Sequence, residues 1–205
     1  MDGLRLACVY SWNCEKARLF KVSDLLLDFA KSGRGDENLI KKALALLDTD
    51  EFYQKIARDN FREGDMFNKR TVSSYWRGSP VLTGSIWHNY TTIEPIIKLP
   101  IEAIDADMIN ECLVHAGMVE SVKDGVLEIK YRPIVKKEKE LAIGSYARRS
   151  IDRVFPDSVS EGDLVAFHFF SSTEVISDND AARLANITEF SLKKFNGERK
   201  NNIKN

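Results

Sequence analysis

The chain has 205 residues, of which 43% are hydrophobic and 30% are charged, a composition typical of a globular protein with a sizeable core. Its 30 basic and 31 acidic side chains nearly cancel, which argues against a general attraction to nucleic acid or to a lipid surface. No apolar run approaches the ~18 residues of a membrane span, and the first residues lack the features of a secretory signal. We therefore expect a cytoplasmic protein with no membrane or nucleic-acid partner.

The first half of the chain has the apolar periodicity of helices joined by short connections. The helical segments are residues 14–31, 37–50, 50–64 and 65–80. Gly33 and Gly35 end the first of them. Residues 81–100 have no clear periodicity and contain two prolines. A helical bundle is predicted over residues 1–100.

From Cys112 onward the pattern changes to the alternation of strands. The strand-like runs are residues 112–122, 125–135, 140–148, 150–155 and 161–176. Lys123-Asp124-Gly125 is a strong hairpin signal between the first two runs, and the charged run from Lys136 to Glu140 is expected at a solvated hairpin tip. Five short strands within a short span predict a small closed barrel.

The predicted fold class is therefore α+β. A helical domain (1–100) precedes a small five-stranded, OB-like β-barrel with a C-terminal helix (101–196). Residues 197–205 form a polar tail that we expect to be disordered.

The residues that suit metal chemistry are few. The chain contains Cys8, Cys14 and Cys112, and His88, His115 and His168. An odd number of cysteines at irregular spacing argues against a disulfide framework, and the absence of a CxxC pair argues against a zinc ribbon. Any metal site must use most of these six residues.

Cys112 is the leading candidate site residue, at the junction of a short helix and the first strand. It is either a buried thiol without a chemical role or a thiolate metal ligand. His168, in the strand LVAFHFF, is either a half-buried structural histidine or an imidazole ligand on the barrel wall. A thiolate and an imidazole together suit zinc or iron better than magnesium or calcium.

Three further residues have open interpretations. His88 lies among aromatic residues and either packs with them or belongs to the site. Cys14 precedes a predicted helix, whose N-terminus favours a thiolate; otherwise it is an ordinary first-turn residue. His115, three residues after Cys112, points to the opposite face of a regular strand, so we expect an exposed strand histidine.

The common enzyme motifs are missing from the sequence, among them the Walker loop, GxSxG and HExxH. A cysteine-dependent enzyme would need a base near Cys112 or Cys14. No signature spacing assigns that role to His115 or His88. No enzymatic activity is therefore expected.

Residues 112–196 resemble the HypC/HupF family of hydrogenase assembly chaperones. That family begins with the pattern C-L-x-x-P-G-x-V, and the corresponding residues here are Cys112, Leu113, Ala116, Gly117 and Val119. Its barrel ends in a G-D-x-V-x-x-H strand before an acidic helix, and the corresponding residues here are Gly162, Asp163, Val165 and His168.

The resemblance implies an accessory protein for nickel–iron hydrogenase maturation, a chaperone or carrier of an iron fragment. It implies Cys112 and His168 as iron ligands, to which His88 and Cys14 from the preceding half could add. The implied partners are the hydrogenase large subunit or other maturation factors. Ala116 replaces the family's proline and Cys112 is internal, which favours the alternative of a non-metal protein-interaction module on the same barrel.

The whole chain also resembles a prokaryotic family of unknown function. The shared features are a helical first half, a YW-x-G-x-x-x-L run, an HN pair and a cysteine-led barrel. The corresponding residues are Tyr75, Trp76, Gly78, Leu82, His88 and Asn89. This resemblance implies that the two halves belong together and that His88 does more than pack.

Overall fold

The fold is mixed α+β, with helices first and a β-rich region followed by a C-terminal helix, which confirms the predicted fold class. The structure is a computed structural model that describes residues 1–61, 64–79, 86–156 and 158–202. Leu82 of the predicted YW-x-G-x-x-x-L run lies outside them. The chain divides into two compact units, Met1–Trp87 and His88–Asn205, earlier in the sequence than the predicted boundary at residue 100.

The first unit is helical. Its helices are α1 (Gly3–Ser11), α2 (Glu15–Leu19), α3 (Ser23–Ser32), α4 (Glu37–Ala45), α5 (Asp50–Ile56), which continues as a π-helical segment at Ala57–Phe61, and α6 (Lys69–Arg77). The prediction of one helix over residues 14–31 is wrong, because Lys21 adopts a left-handed φ of 57° between α2 and α3. The sequence did not predict α1, since nearly all its residues are buried and it shows no polar face.

The core of the first unit is built around stacked aromatic rings. Tyr10 and Trp76 stack with ring centroids 5.0 Å apart, and Trp76 Nε1 donates to the hydroxyl of Tyr53 at 2.7 Å. Tyr75 is also buried. The YW pair noted in the sequence is therefore part of this core.

The second unit contains all the described strands and three of the helices. The helices are α7 (His88–Ile93), α8 (Ala106–Cys112) and α9 (Asp178–Asn202), with 3₁₀ segments at Glu94–Lys98 and Ile101–Ala103. The strands are β1 (His115–Lys123), β2 (Val126–Tyr131), β3 (Ile134–Lys137), β4 (Glu140–Ile143), β5 (Ala147–Asp152), β6 (Leu164–His168) and β7 (Ser171–Val175).

Five of the described strands close into a barrel in the order β1-β2-β5-β7-β6, and β6 pairs back to β1. The neighbours are antiparallel except β5 and β7, which run parallel. This arrangement is that of an OB-like barrel. Strands β3 and β4 form a separate hairpin whose turn holds Glu138 and Lys139, as the charged run predicted.

Four strand predictions are wrong in detail. Residues 125–135 form β2 and the start of β3, and residues 140–148 form β4 and the start of β5, because the chain leaves strand conformation between Tyr131 and Ile134 and again between Ile143 and Ala147. Residues 150–155 do not form their own strand, because β5 extends to Asp152. Residues 161–176 form two strands rather than one. Phe169 and Phe170 adopt φ values of 47° and 59° and turn the chain between β6 and β7.

Two buried asparagines and one half-buried asparagine connect the helices of the second unit to neighbouring backbone. In each pair the side-chain oxygen accepts the N–H of one residue and the side-chain nitrogen donates to the carbonyl of the same residue. The pairs are Asn89 with Val114, Asn110 with Ile134, and Asn196 with Leu141. These hydrogen bonds attach α7 to the residue just before β1, α8 to β3, and α9 to β4.

The last helix is longer than the sequence predicted. Residues 197–202, predicted to be part of a disordered tail, belong to α9; residues 203–205 lie outside the described part of the chain. Arg199 explains the difference, since it donates to the carbonyl of Leu99 and its guanidinium lies 5.5 Å from the ring centroid of Phe195. Among the described residues, no helix has the length and apolar character to cross a membrane.

Candidate functional site

Cys112 is the last residue of α8, and β1 begins three residues later at His115. Asp105 caps the start of this short helix, where its Oδ1 accepts the N–H of Asp107 at 2.9 Å. Cys112 is half-buried, whereas the interpretation of it as a structural thiol expected full burial. The thiol therefore lies at the predicted helix–strand junction.

Two histidines meet at the backbone of Cys112. His88 Nε2 lies 2.9 Å from the Cys112 carbonyl oxygen, and His168 Nε2 lies 3.1 Å from the same atom. The two rings are nearly perpendicular, with centroids 5.1 Å apart. Three of the four predicted site residues are thus brought together by the start of α7, the end of α8 and the end of β6.

The last turn of α8 explains why these groups converge. The final carbonyls of a helix have no partner within the helix and need donors from elsewhere. The Glu111 carbonyl accepts the N–H of Phe169 at 3.1 Å, and the Cys112 carbonyl accepts from His88 and His168. Two of the three histidines therefore contact this turn of α8.

The carbonyl of Cys112 determines the protonation of the two rings. A carbonyl oxygen only accepts hydrogen bonds, so Nε2 carries the proton in both His88 and His168. Burial, followed by the neighbouring His168 ring, lowers the pKa of His88 well below 6.5, although the Cys112 carbonyl acts in the opposite direction. His88 is therefore neutral at physiological pH, and the lone pair of its neutral ring lies on Nδ1.

The expectation that His115 is exposed is wrong. Its side chain is buried, stacked on Phe167 at 5.3 Å and edge-on to Tyr131 at 5.5 Å between centroids. Burial lowers the pKa of His115 to about 4, and His168 and Arg149 act in the same direction. The reason is the strand register, which turns His115 into the barrel on the same side as the buried residues of β1.

Asn110 holds the turn of α8 that ends in Cys112. Its Nδ2 donates to the carbonyls of Ala106 and Ile134 at 2.7 and 2.8 Å, and its Oδ1 accepts the N–H of Ile134 at 2.7 Å. The sequence alone does not identify Asn110, because no local pattern separates it from a surface asparagine. A buried amide with these partners is recognisable only in the fold.

Cys14 lies in the first unit, at the N-cap of α2, where its Sγ accepts the N–H of Ala17 at 3.3 Å. Burial raises the pKa of the Cys14 thiol and outweighs the opposing effects of the helix N–H groups and of Lys16 and Arg18. The predicted gain of thiolate character from the helix N-terminus is therefore not found. As a metal ligand, Cys14 stays a prediction.

A preformed multidentate metal site is not found in the described part of the chain. Within residues 1–61, 64–79, 86–156 and 158–202, no group of three or more His, Cys, Asp or Glu side chains is arranged to hold a metal ion. The donors that the structure does bring together are those at the end of α8.

A protein family of unknown function, DUF6390, matches residues 98–202, just over half of the chain. The chain belongs to this family. The DUF6390 region spans α8, the barrel and α9, and so contains Cys112 and His168, whereas His88 precedes it. This membership agrees with the predicted resemblance to a family of unknown function. Neither a curated protein nor a solved structure matches the chain significantly.

Proposed function

We propose that this DUF6390 protein is a non-enzymatic, HypC-like accessory protein of nickel–iron hydrogenase maturation, which carries an iron fragment as cargo in the cytoplasm. The observation that carries the proposal is the 3.1 Å contact between His168 Nε2 and the Cys112 carbonyl oxygen. This contact joins two landmarks of the HypC/HupF resemblance that lie 56 residues apart in the chain.

The chemistry of the donors supports an iron cargo. A histidine that binds a metal through one ring nitrogen commonly donates its other N–H to a backbone carbonyl or carboxylate, which orients the ring. His168 and His88 both make such a donation through Nε2, so Nδ1 is the ligand atom. A thiolate from Cys112 with one imidazole leaves coordination positions for the fragment's own ligands, as a transfer site requires.

A second candidate function is a protein-interaction module without metal, and the helix end favours it. Both imidazoles donate to a carbonyl that the end of α8 leaves without an intrahelical partner, which is a sufficient structural role. Ala116 in place of the proline of the HypC/HupF pattern also favours this function. The partners in both functions are the hydrogenase large subunit or other maturation factors.

The deciding experiment measures iron content and infrared spectra of protein purified without oxygen from a hydrogenase-competent host. The carrier function predicts near-stoichiometric iron with cyanide or carbonyl stretches in the wild type. Cys112→Ala and His168→Gln should lose both signals. Cys8→Ala is the matched control, because this thiol is buried in the core of the first unit, and it should keep them.

Iron-free wild-type protein, or signals that survive in Cys112→Ala, would exclude the carrier function. The second candidate is tested by co-purification with the hydrogenase large subunit or with maturation factors. It predicts partner binding that is unchanged in Cys112→Ala.

A further inference from the structure

A groove of about 450 Å³ lies along the outer face of the barrel beside α9. In β1 and β2 the lining residues Met118 and Lys130 alternate with the inward-facing Val119 and Ile129, which places this part of the groove outside the barrel. The buried side chains of His115 and Tyr131 also line it. Leu164 and Leu184 contribute to its mostly apolar wall. This volume is typical of sites for small molecules.

Positive charge is concentrated in one part of the groove. Lys130 Nζ lies 5.0 Å from the ring centroid of Tyr146, and the Arg132 guanidinium lies 5.9 Å from it. Arg132 is also held by the donation of its Nε to the Gly144 carbonyl at 3.1 Å. Among the described residues that line the groove, none is Asp or Glu.

Two carboxylates on which Lys130 and Arg132 act electrostatically already have cationic partners. Glu120 lies 2.6 Å from the guanidinium of Arg148, and Glu189 lies 2.8 Å from Lys193 Nζ. Arg148 and Lys193 lower the pKa values of Glu120 and Glu189 respectively, and Lys130 and Arg132 add smaller effects in the same direction. The groove therefore keeps a net positive charge beside an apolar wall.

We propose that this groove binds a small amphiphilic anion, with its apolar chain or ring system against the wall and its carboxylate or phosphate between Lys130 and Arg132. Two cations facing one anionic group provide charge-assisted hydrogen bonds, and the apolar wall provides burial for the rest of the ligand. A cationic amphiphile of the same length gains only the second contribution. This inference is independent of the iron-carrier function and does not use Cys112 or the histidines that contact it.

The test uses the fluorescence of 8-anilinonaphthalene-1-sulfonate, a small aromatic anion, with the full chain. Saturable binding at one site is expected in the wild type. Decanoate and decyl phosphate should displace the probe, and decyltrimethylammonium should not. A carboxylate and a phosphate source are distinguished by which of the two competes at lower concentration.

Variants of the groove make the test specific. The double variant Lys130→Gln/Arg132→Gln should weaken probe binding about tenfold, whereas Lys123→Gln/Lys137→Gln, with the same change in charge at exposed positions, should leave it unchanged. Ala185→Trp adds bulk at an exposed position of α9 that lines the groove and should abolish binding. Thermal unfolding checks that each variant is folded.

Several results would overturn the proposal. These are no saturable binding in the wild type, equal binding in the Lys130→Gln/Arg132→Gln variant, undiminished binding in Ala185→Trp, or equal displacement by decyltrimethylammonium. None of these results bears on whether Cys112 carries iron.

Discussion

The imidazole of His168 donates from Nε2 to the carbonyl oxygen of Cys112, 3.1 Å away, and so joins the end of β6 to the last turn of α8. His88 donates to the same oxygen at 2.9 Å. The contact has two consequences. It satisfies the end of a helix that would otherwise leave a carbonyl without a partner, and it fixes both rings beside the residue that carries the thiol.

The shared carbonyl predicts that substitutions of the two histidines are not additive. His88→Phe and His168→Phe should each lower the free energy of unfolding by only about 1–2 kcal/mol. The loss is small because the remaining histidine still donates to the Cys112 carbonyl. The double variant removes both donors and should cost about 1 kcal/mol more than the sum. Urea unfolding of the four proteins measures the difference. Strict additivity would mean that the carbonyl does not couple the rings.

His115 predicts a loss of stability in acid. Its pKa is about 4 in the folded protein and about 6.5 in an unfolded chain, so between these values the unfolded chain binds the proton first. The contribution of the neutral His115 ring to the free energy of unfolding is therefore fully present above pH 6.5 and is lost as the pH falls to 4. The expected loss is about 3 kcal/mol.

Urea unfolding between pH 7.5 and 4.5 checks this loss, with His115→Phe as the comparison. The variant should show a shallower decrease, because it lacks the titrating ring. An identical pH dependence in the two proteins would contradict the assignment. The residual decrease in the variant is expected from His88, whose pKa is lowered in the same direction.

Because the side-chain amide of Asn89 is buried, we expect replacement of its nitrogen by an oxygen to destabilise the fold strongly. Its Nδ2 donates to the Val114 carbonyl and to Thr188 Oγ1, both at 2.9 Å. Asn89→Asp replaces this donor by a buried carboxylate oxygen and should lower the free energy of unfolding by about 3 kcal/mol. Asn196→Asp, at a half-buried position, should cost about 1 kcal/mol. Thermal and urea unfolding compare the two variants, and equal costs would argue against the burial of Asn89.

We expect substitution by alanine to destabilise the protein at Gly3 and to stabilise it at Gly197. A Cβ on Gly3 would lie 1.8 Å from the backbone oxygen of Phe67, so Gly3→Ala should cost about 3 kcal/mol or more. A Cβ on Gly197, within α9, would meet nothing within 4 Å. Gly197→Ala should therefore stabilise the protein by about 0.5–1 kcal/mol through helix propensity. Unfolding midpoints measure both changes, and a tolerated Gly3→Ala would contradict the packing of α1.

The sequence predicted those parts of the fold whose burial pattern is local. Alternation after Cys112 predicted the barrel, and 3.6-residue periodicity predicted α4, α5, α6 and α9. It failed where a backbone conformation is imposed by the fold. The left-handed residues Lys21 and Phe169 divide segments that periodicity reads as continuous.

The candidate site divides in the same way. Residue type reduced the candidates to three cysteines and three histidines, and the HypC/HupF resemblance selected Cys112 and His168 among them. His88 was singled out by the HN pair of the second resemblance. Only the tertiary structure decided that the two rings meet at the Cys112 carbonyl and that His115 is buried. Periodicity reports which face of an element is apolar. The hydrogen bonds of His88 and His168 to Cys112 join residues separated by 24 and by 56 positions in the chain, so they depend on how the elements pack.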